Sequence, residues 1–153
     1  MDFAEIRRLL PHRYPILLVD RVREIVPGER IVASKAVTGN EPWFAGKDTD
    51  RPVCYPQVLL IESWGQSAVI LALSSNADPE NLRKQNVVLA ALSGAQFHRP
   101  VLPGDVVENH VTLSHWSNRA VIFEGWGSVA GQVVFEIERM VLAFRSATEL
   151  HAS

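Results

Sequence analysis

Residues Gln57 to Leu73 read QVLLIESWGQSAVILAL and are apolar on nearly every side of a helical projection. A surface helix carries one apolar stripe and one polar face, so this pattern predicts a helix buried in the core. Pro56 stands just before the run, where its missing N–H costs the helix no hydrogen bond. The segment therefore predicts one long central helix.

The chain on either side of this helix is rich in β-branched residues and in alternating apolar and polar positions, which is typical of strands. Asp2 is placed to cap a short helix over residues 3–10. Strands are predicted over residues 15–26, 30–38, 87–97, 105–116, 119–131 and 132–145. One long helix among antiparallel strands predicts an α+β fold in which the sheet covers the helix on most sides. Residues 1–153 are expected to form a single domain.

The bulk composition argues against several classes of partner. A formal net charge of -2 gives no electrostatic reason to bind nucleic acid or an anionic membrane. No apolar run reaches the roughly 20 residues that span a bilayer, and the N-terminus has no signal-peptide core. The one cysteine, Cys54, allows no intrachain disulfide and is expected to be a small buried thiol. We therefore expect a soluble protein of the cytoplasm.

The central helix carries one acid, Glu62, and one amide, Gln66, which lie on the same face because they are four residues apart. Acids are rarely buried without a partner, and a carboxyl group among apolar neighbours suits general acid or base chemistry. The five histidines, by contrast, are scattered without the spacing of a metal site, so no metal is expected. They are His12, His98, His110, His115 and His151.

Most of the chain resembles the β-hydroxyacyl-acyl-carrier-protein dehydratases of fatty acid synthesis, which have the hotdog fold. The matching segments follow the same order in both. They are LPHRYPILLVDRV at 10–22, PGERIVASKAVTGNEPWF at 27–44, RPV at 51–53, LLIES with Gln66, and FHRPVLPGD at 97–105. The resemblance implies a long central helix wrapped by a curved antiparallel sheet, in agreement with the pattern described above.

The resemblance also implies a reaction. Such enzymes remove water from a 3-hydroxyacyl thioester carried on the phosphopantetheine arm of an acyl carrier protein, and need no further cofactor. A histidine takes the α-proton and a carboxyl group, here Glu62, helps the 3-hydroxyl leave. Backbone amides of a loop and of the helix N-terminus polarise the thioester carbonyl. Two sites lie at a dimer interface, and each combines the histidine of one subunit with the acid of the other.

This chain departs from the family in the loop that should hold the histidine. After Gly46 it reads KDTDRPVCYPQ, so the histidine position is Lys47 or Asp48, depending on where the extra residue is placed. A lysine is normally protonated and a free aspartate is a weak base for an α-proton. A glycine of the family has become Gln57. Glu62 is the predicted catalytic group and Asp48 is a second candidate, while Gly46, Gln57 and Gln66 are the predicted supporting residues.

Three hypotheses follow from a retained acid beside a lost histidine. The first is a dehydratase-like lyase subunit of fatty acid or polyketide biosynthesis, inactive alone, that offers Glu62 to a histidine-bearing hotdog partner. The second is a self-sufficient thioesterase or double-bond isomerase, active as a homodimer, that uses Glu62 with Asp48. The third is a protein that binds an acyl chain or a carrier protein without turnover. The first is favoured, because simple decay of a site predicts no such asymmetric loss.

Overall fold

The computed structural model describes residues 1–46, 53–76, 86–117 and 120–145. Within them the chain forms two α-helices, one short 3-10 helix and six strands. In chain order these are α1 (Phe3–Leu9), β1 (Arg21–Val26), β2 (Arg30–Ala36), the 3-10 helix (Pro42–Phe44), α2 (Gln57–Ser75), β3 (Asn86–Phe97), β4 (Val106–Trp116), β5 (Ala120–Val129) and β6 (Gln132–Arg145). Both predicted helices are confirmed, and Asp2 caps α1 by accepting from the Glu5 amide.

The first strand is shorter than its sequence predicts. It begins at Arg21 rather than at Pro15, because the amides of residues 16–18 bond outside the sheet. Those of Ile16 and Leu17 donate to the Arg13 carbonyl and close a turn, while that of Leu18 donates to a side chain of α2. The apolar residues of this segment pack on the core without joining the sheet. We call residues 11–20, between α1 and β1, the docking loop.

The strands form one antiparallel sheet in the order β1-β2-β4-β5-β6-β3. Helix α2 packs against β2, β4 and β5. Its Trp64 is fully buried and donates from Nε1 to the His110 carbonyl of β4 at 3.1 Å. Gly125 of β5 lies at this contact with a positive φ of 152°, and a Cβ there would collide with the same carbonyl. The arrangement is the predicted α+β hotdog fold.

The sheet does not enclose α2 as fully as its apolar sequence suggests. Five residues of one helix face, spaced by three or four positions, keep partial or full solvent exposure: Val58, Ile61, Glu62, Gly65 and Val69. We call this face the open stripe. The length and composition of α2 would also suit a membrane span, but 61% of its most apolar window is buried inside the protein, as in a core helix. Cys54, just before α2, is exposed, so the expectation of a buried thiol is wrong.

Candidate active site

Glu62 lies in the second turn of α2, on the open stripe. Its side chain is 41% exposed, so it is not enclosed by apolar neighbours as the sequence pattern suggests. The difference arises because Leu60 and Trp64 are buried on other faces of the helix, while Ile61 shares the open stripe with Glu62 and is itself only partly buried. Glu62 is therefore an accessible acid whose surroundings are partly polar.

Gln66 fixes one oxygen of this acid. Its Nε2 donates to Glu62 Oε1 at 2.8 Å and to the Ile16 carbonyl at 2.7 Å. Its own Oε1 accepts from the Leu18 amide at 2.8 Å. The side chain is almost fully buried, and all three of its bonds join α2 to itself or to the docking loop. These bonds hold Gln66 against Glu62, and the supporting role of Gln66 in a reaction stays a prediction.

A second group of bonds holds the docking loop on the helix. Ser63 Oγ donates to the Leu18 carbonyl at 2.7 Å and accepts from Asn109 Nδ2 of β4 at 2.8 Å. Asn109 also donates to Ser67 Oγ at 3.3 Å. All four residues are buried, where hydrogen bonds are costly to break. The turn of α2 that carries Glu62 is therefore tied to both the loop and the sheet.

His12, in the docking loop, also approaches the acid. Its Nε2 lies 3.5 Å from Glu62 Oε1, and its side chain is 29% exposed. Nδ1 is buried and has no hydrogen-bond partner in the described part of the chain. Sequence reasoning missed this residue, because nothing in the spacing of the histidines relates His12 to a residue on a later helix. The only available signal was its place in the PHRYP segment.

Gln57 and Gly46, two other predicted site residues, lie exposed on either side of residues 47–52. Gln57 opens α2 with an exposed side chain, after Pro56, whose side chain cannot cap the helix. Gly46 is exposed at a φ of 70°, just before residues 47–52. Lys47 and Asp48, the two residues predicted to stand where the family has its histidine, lie outside the described residues. Asp48 therefore stays a prediction as a catalytic group.

The segment leading to that loop is anchored by a buried ion pair. Lys35 Nζ of β2 lies 2.6 Å from Glu41 Oε1, and both side chains are more than nine-tenths buried. Tyr55 packs beside them, with its ring centroid 5.9 Å from the lysine nitrogen. Burial, aided by the carboxylates of Glu41 and Asp20, raises the pKa of the Tyr55 hydroxyl well above its ordinary value, and nearby Trp43 offsets a little of the effect. The segment before residues 47–52 is thus held from inside the fold through Glu41.

Next to this ion pair lies an open cavity of about 340 Å³, lined by residues of the docking loop, β2 and the segment after it. Lys35, Asp20 and Glu41 supply its charges. Among the described residues, no group of three or more His, Cys, Asp or Glu side chains is arranged to hold a metal ion. Glu62 is not among the residues that line this cavity.

The sequence comparisons agree on one family. A model of the FabA-like domain matches residues 10–138. A 3-hydroxyacyl-[acyl-carrier-protein] dehydratase FabZ of Anaeromyxobacter sp. (strain Fw109-5) is 42% identical over 142 residues, covering 93% of this chain and 89% of its own. That of Myxococcus xanthus (strain DK1622) is 43% identical over 139 residues, with 90% and 88% covered.

Among solved structures, the chain is similar to one from the dehydratase heterocomplex ApeI:P of Xenorhabdus doucetiae. The TM-score is 0.75 at 20% identity, with 95% of this chain and 94% of the other covered. At that level of identity the likeness concerns the fold.

Proposed function

Because this chain belongs to the FabA-like family of 3-hydroxyacyl-acyl-carrier-protein dehydratases, we propose that it is the acid-bearing subunit of a two-chain dehydratase. In this proposal Glu62 works with the histidine of a related hotdog partner on a 3-hydroxyacyl group held by an acyl carrier protein. The pathway is fatty acid or polyketide biosynthesis in the cytoplasm. The observation that carries the proposal is an oriented, accessible Glu62 in a chain whose 46–57 segment contains no histidine.

The surface around Glu62 supports a site completed by a second chain. The open stripe has partly exposed apolar residues on both sides of the acid, with Val58 as much as 67% exposed. The sheet ends in β3, which pairs with β6 on one side only. The open stripe faces this end of the sheet at Gly65, which lies against Met140 of β6, the strand that pairs with β3. Exposed apolar surface and an unpaired strand edge are both typical of an interface. A hotdog partner laid along this side would cover Glu62 and bring its own loop to it.

The reaction then divides between the two chains. The partner's histidine takes a proton from the carbon next to the thioester carbonyl. Protonated Glu62 gives its proton to the 3-hydroxyl, the C3–O bond breaks, the carbon–carbon double bond forms and water leaves. The backbone amides of Gln57 and Val58, at the N-terminus of α2, are the candidates to polarise the thioester carbonyl. Replacement of a glycine by Gln57 leaves such an amide in place, since only the side chain changes.

The test is dehydration of a 3-hydroxyacyl-carrier-protein thioester, followed by intact mass. The chain is assayed alone and after co-expression with a histidine-bearing FabZ-type paralogue. The acid of that paralogue is changed to Gln, so that the paralogue's own homodimer is inactive. We expect turnover only in the mixture, and a loss of at least about a hundredfold with Glu62→Gln in this chain, the scale of a lost general acid. Glu136→Gln, an exposed acid of β6, is the matched control and should leave turnover unchanged.

The other two hypotheses are outcomes of the same assay. Turnover by this chain alone, lost in Glu62→Gln and in Asp48→Asn, would identify a self-sufficient acyl-thioester enzyme. Binding of the acyl carrier protein without turnover in any mixture would identify a binding protein. Either result would contradict the shared site.

A further inference from the structure

The two oxygens of the Glu62 carboxyl group have different surroundings. Oε1 has two nitrogen neighbours, Gln66 Nε2 at 2.8 Å and His12 Nε2 at 3.5 Å. No hydrogen bond or ion pair reaches Oε2 from the residues the structure describes. Since the side chain is partly exposed, Oε2 is the oxygen left for a substrate. The carboxyl group is therefore held from one side and open on the other.

The ring of His12 is placed so that it can donate to this oxygen. Nδ1 is buried without a partner in the described chain, and a buried N–H without an acceptor is rarer in proteins than a buried acceptor without a donor. The neutral ring therefore keeps its proton on Nε2, on the side of Glu62. At 3.5 Å the contact is longer than an ordinary hydrogen bond. A negative charge on Glu62 attracts the N–H and favours a shorter contact.

The loop that carries His12 is built to hold this position. Arg13 Nη1 donates to the carbonyls of Leu10 at 2.8 Å and of His12 itself at 2.7 Å. The bonds from Gln66 and Ser63 then fix the far end of the docking loop to α2. The backbone is thus tied on both sides of the imidazole, which limits how far the ring can move from Glu62.

We propose that His12 is a positioning residue for Glu62. Resting on the proposed function, this inference assigns the substrate-facing proton to Oε2, while His12 and Gln66 hold Oε1. When Glu62 gives that proton to the departing 3-hydroxyl, it becomes a carboxylate. The N–H of His12 stabilises the new negative charge by donating a hydrogen bond, and its proton stays on the imidazole ring. A residue that acts when the charge develops changes the rate of the chemical step more than substrate binding.

The test uses the active mixture with two substitutions at one position. His12→Leu removes the donor at similar volume, while His12→Gln keeps an N–H close to the place of Nε2. We expect His12→Leu to lower kcat roughly tenfold to a hundredfold with little change in KM, as for a misplaced catalytic group. His12→Gln should recover most of that loss. His115→Leu, at an exposed histidine of β4, is the control and should leave kcat unchanged.

A second measurement needs no activity. The ¹⁵N chemical shifts of the His12 ring in the isolated chain report which nitrogen carries the proton. A proton on Nε2 is expected, and a proton on Nδ1 would overturn the inference.

The possible failures differ from one another. An inactive wild-type mixture, or one insensitive to Glu62→Gln, removes the proposed function and this inference with it. An active, Glu62-dependent mixture in which His12→Leu keeps its full kcat removes only the role of His12. Equal loss in the Leu and Gln variants, with a matching fall in thermal stability, would make His12 a packing residue and contradict positioning.

Discussion

At the scale of single residues, Tyr55 shows what burial costs when no partner is provided. Its side chain is almost fully buried, and its hydroxyl makes no hydrogen bond of normal geometry among the described residues, although Trp43 lies close enough to lower its pKa slightly. Burial, with the carboxylates of Glu41 and Asp20, raises its pKa. A phenol of this kind stays protonated in the folded protein while the same phenol of the unfolded chain ionises near pH 10. Stability from this group is therefore complete below about pH 10 and is lost as the pH rises further.

We predict that Tyr55→Phe raises the free energy of unfolding at pH 7 by about 1 kcal/mol, because an unpaired buried hydroxyl is removed. Between pH 9 and pH 10.5 the variant should lose less stability than the wild type. Urea unfolding at the three pH values measures both effects. Tyr14→Phe is the control, since Tyr14 is 83% exposed and should change neither quantity. If the wild type and Tyr55→Phe lost the same free energy of unfolding between pH 9 and pH 10.5, the prediction would be contradicted.

Residues differ in how much of their role can be read from sequence. Glu62 and Gln66 could be paired because helical spacing alone puts them on one face, and the structure places their side chains 2.8 Å apart. His12 could not be paired with Glu62, because their contact depends on how the docking loop folds back over α2. The exposure of Glu62 could not be predicted from the sequence either, since it depends on which side of the helix the sheet leaves uncovered.

At the scale of elements, the docking loop and α2 behave as one unit joined by Gln66. We predict that Gln66→Met, which keeps the volume, lowers the free energy of unfolding by about 2–4 kcal/mol. The reason is that the Leu18 amide and the Ile16 carbonyl lose their partner inside the protein. Urea unfolding of the two proteins measures the change.

The control for this prediction is Gln57→Met on the same helix. Gln57 is exposed at the start of α2, so its replacement should change stability by less than about 0.5 kcal/mol. If Gln66→Met lowered the free energy of unfolding by no more than Gln57→Met, the docking loop would be held by its apolar residues rather than by Gln66.

Most elements could be predicted because their residues bond within regular structure. Strand β6, over Gln132–Arg145, matches its predicted range at both ends, and α2 begins at the predicted Gln57. The start of β1 could not be predicted, because the amide of Leu18 bonds to a side chain distant in sequence. An apolar sequence such as ILLV is compatible both with a strand and with a loop that packs on the core. The deciding partner lies on α2, and local patterns do not contain it.

At the scale of the whole molecule, the sheet has an unpaired edge strand that is suited to pairing with another chain. Strand β3 reads NVVLAALSGAQF and contains no charged residue, although Val88 and Leu89 are 37% and 50% exposed. Sheets of monomeric proteins usually protect such edges with charges, proline or a covering element. The absence of charge along β3 therefore favours pairing with a partner strand, on the side of the sheet that α2 leaves open.

If the chain assembles as proposed, Leu89→Lys is expected to prevent its association with a histidine-bearing hotdog partner while leaving its own fold intact. Burying an unpaired ammonium group at an interface costs several kcal/mol, which is on the order of a hundredfold or more in affinity. Sedimentation velocity of the mixture, together with circular dichroism of the variant alone, measures both quantities. Val106→Lys, at a 47% exposed valine at the start of β4, is the control and should associate normally. Because Glu62 is untouched in Leu89→Lys, loss of turnover in this variant would follow from lost assembly alone. Normal association of Leu89→Lys would exclude β3 as the interface and would require the open stripe to meet its partner in another way.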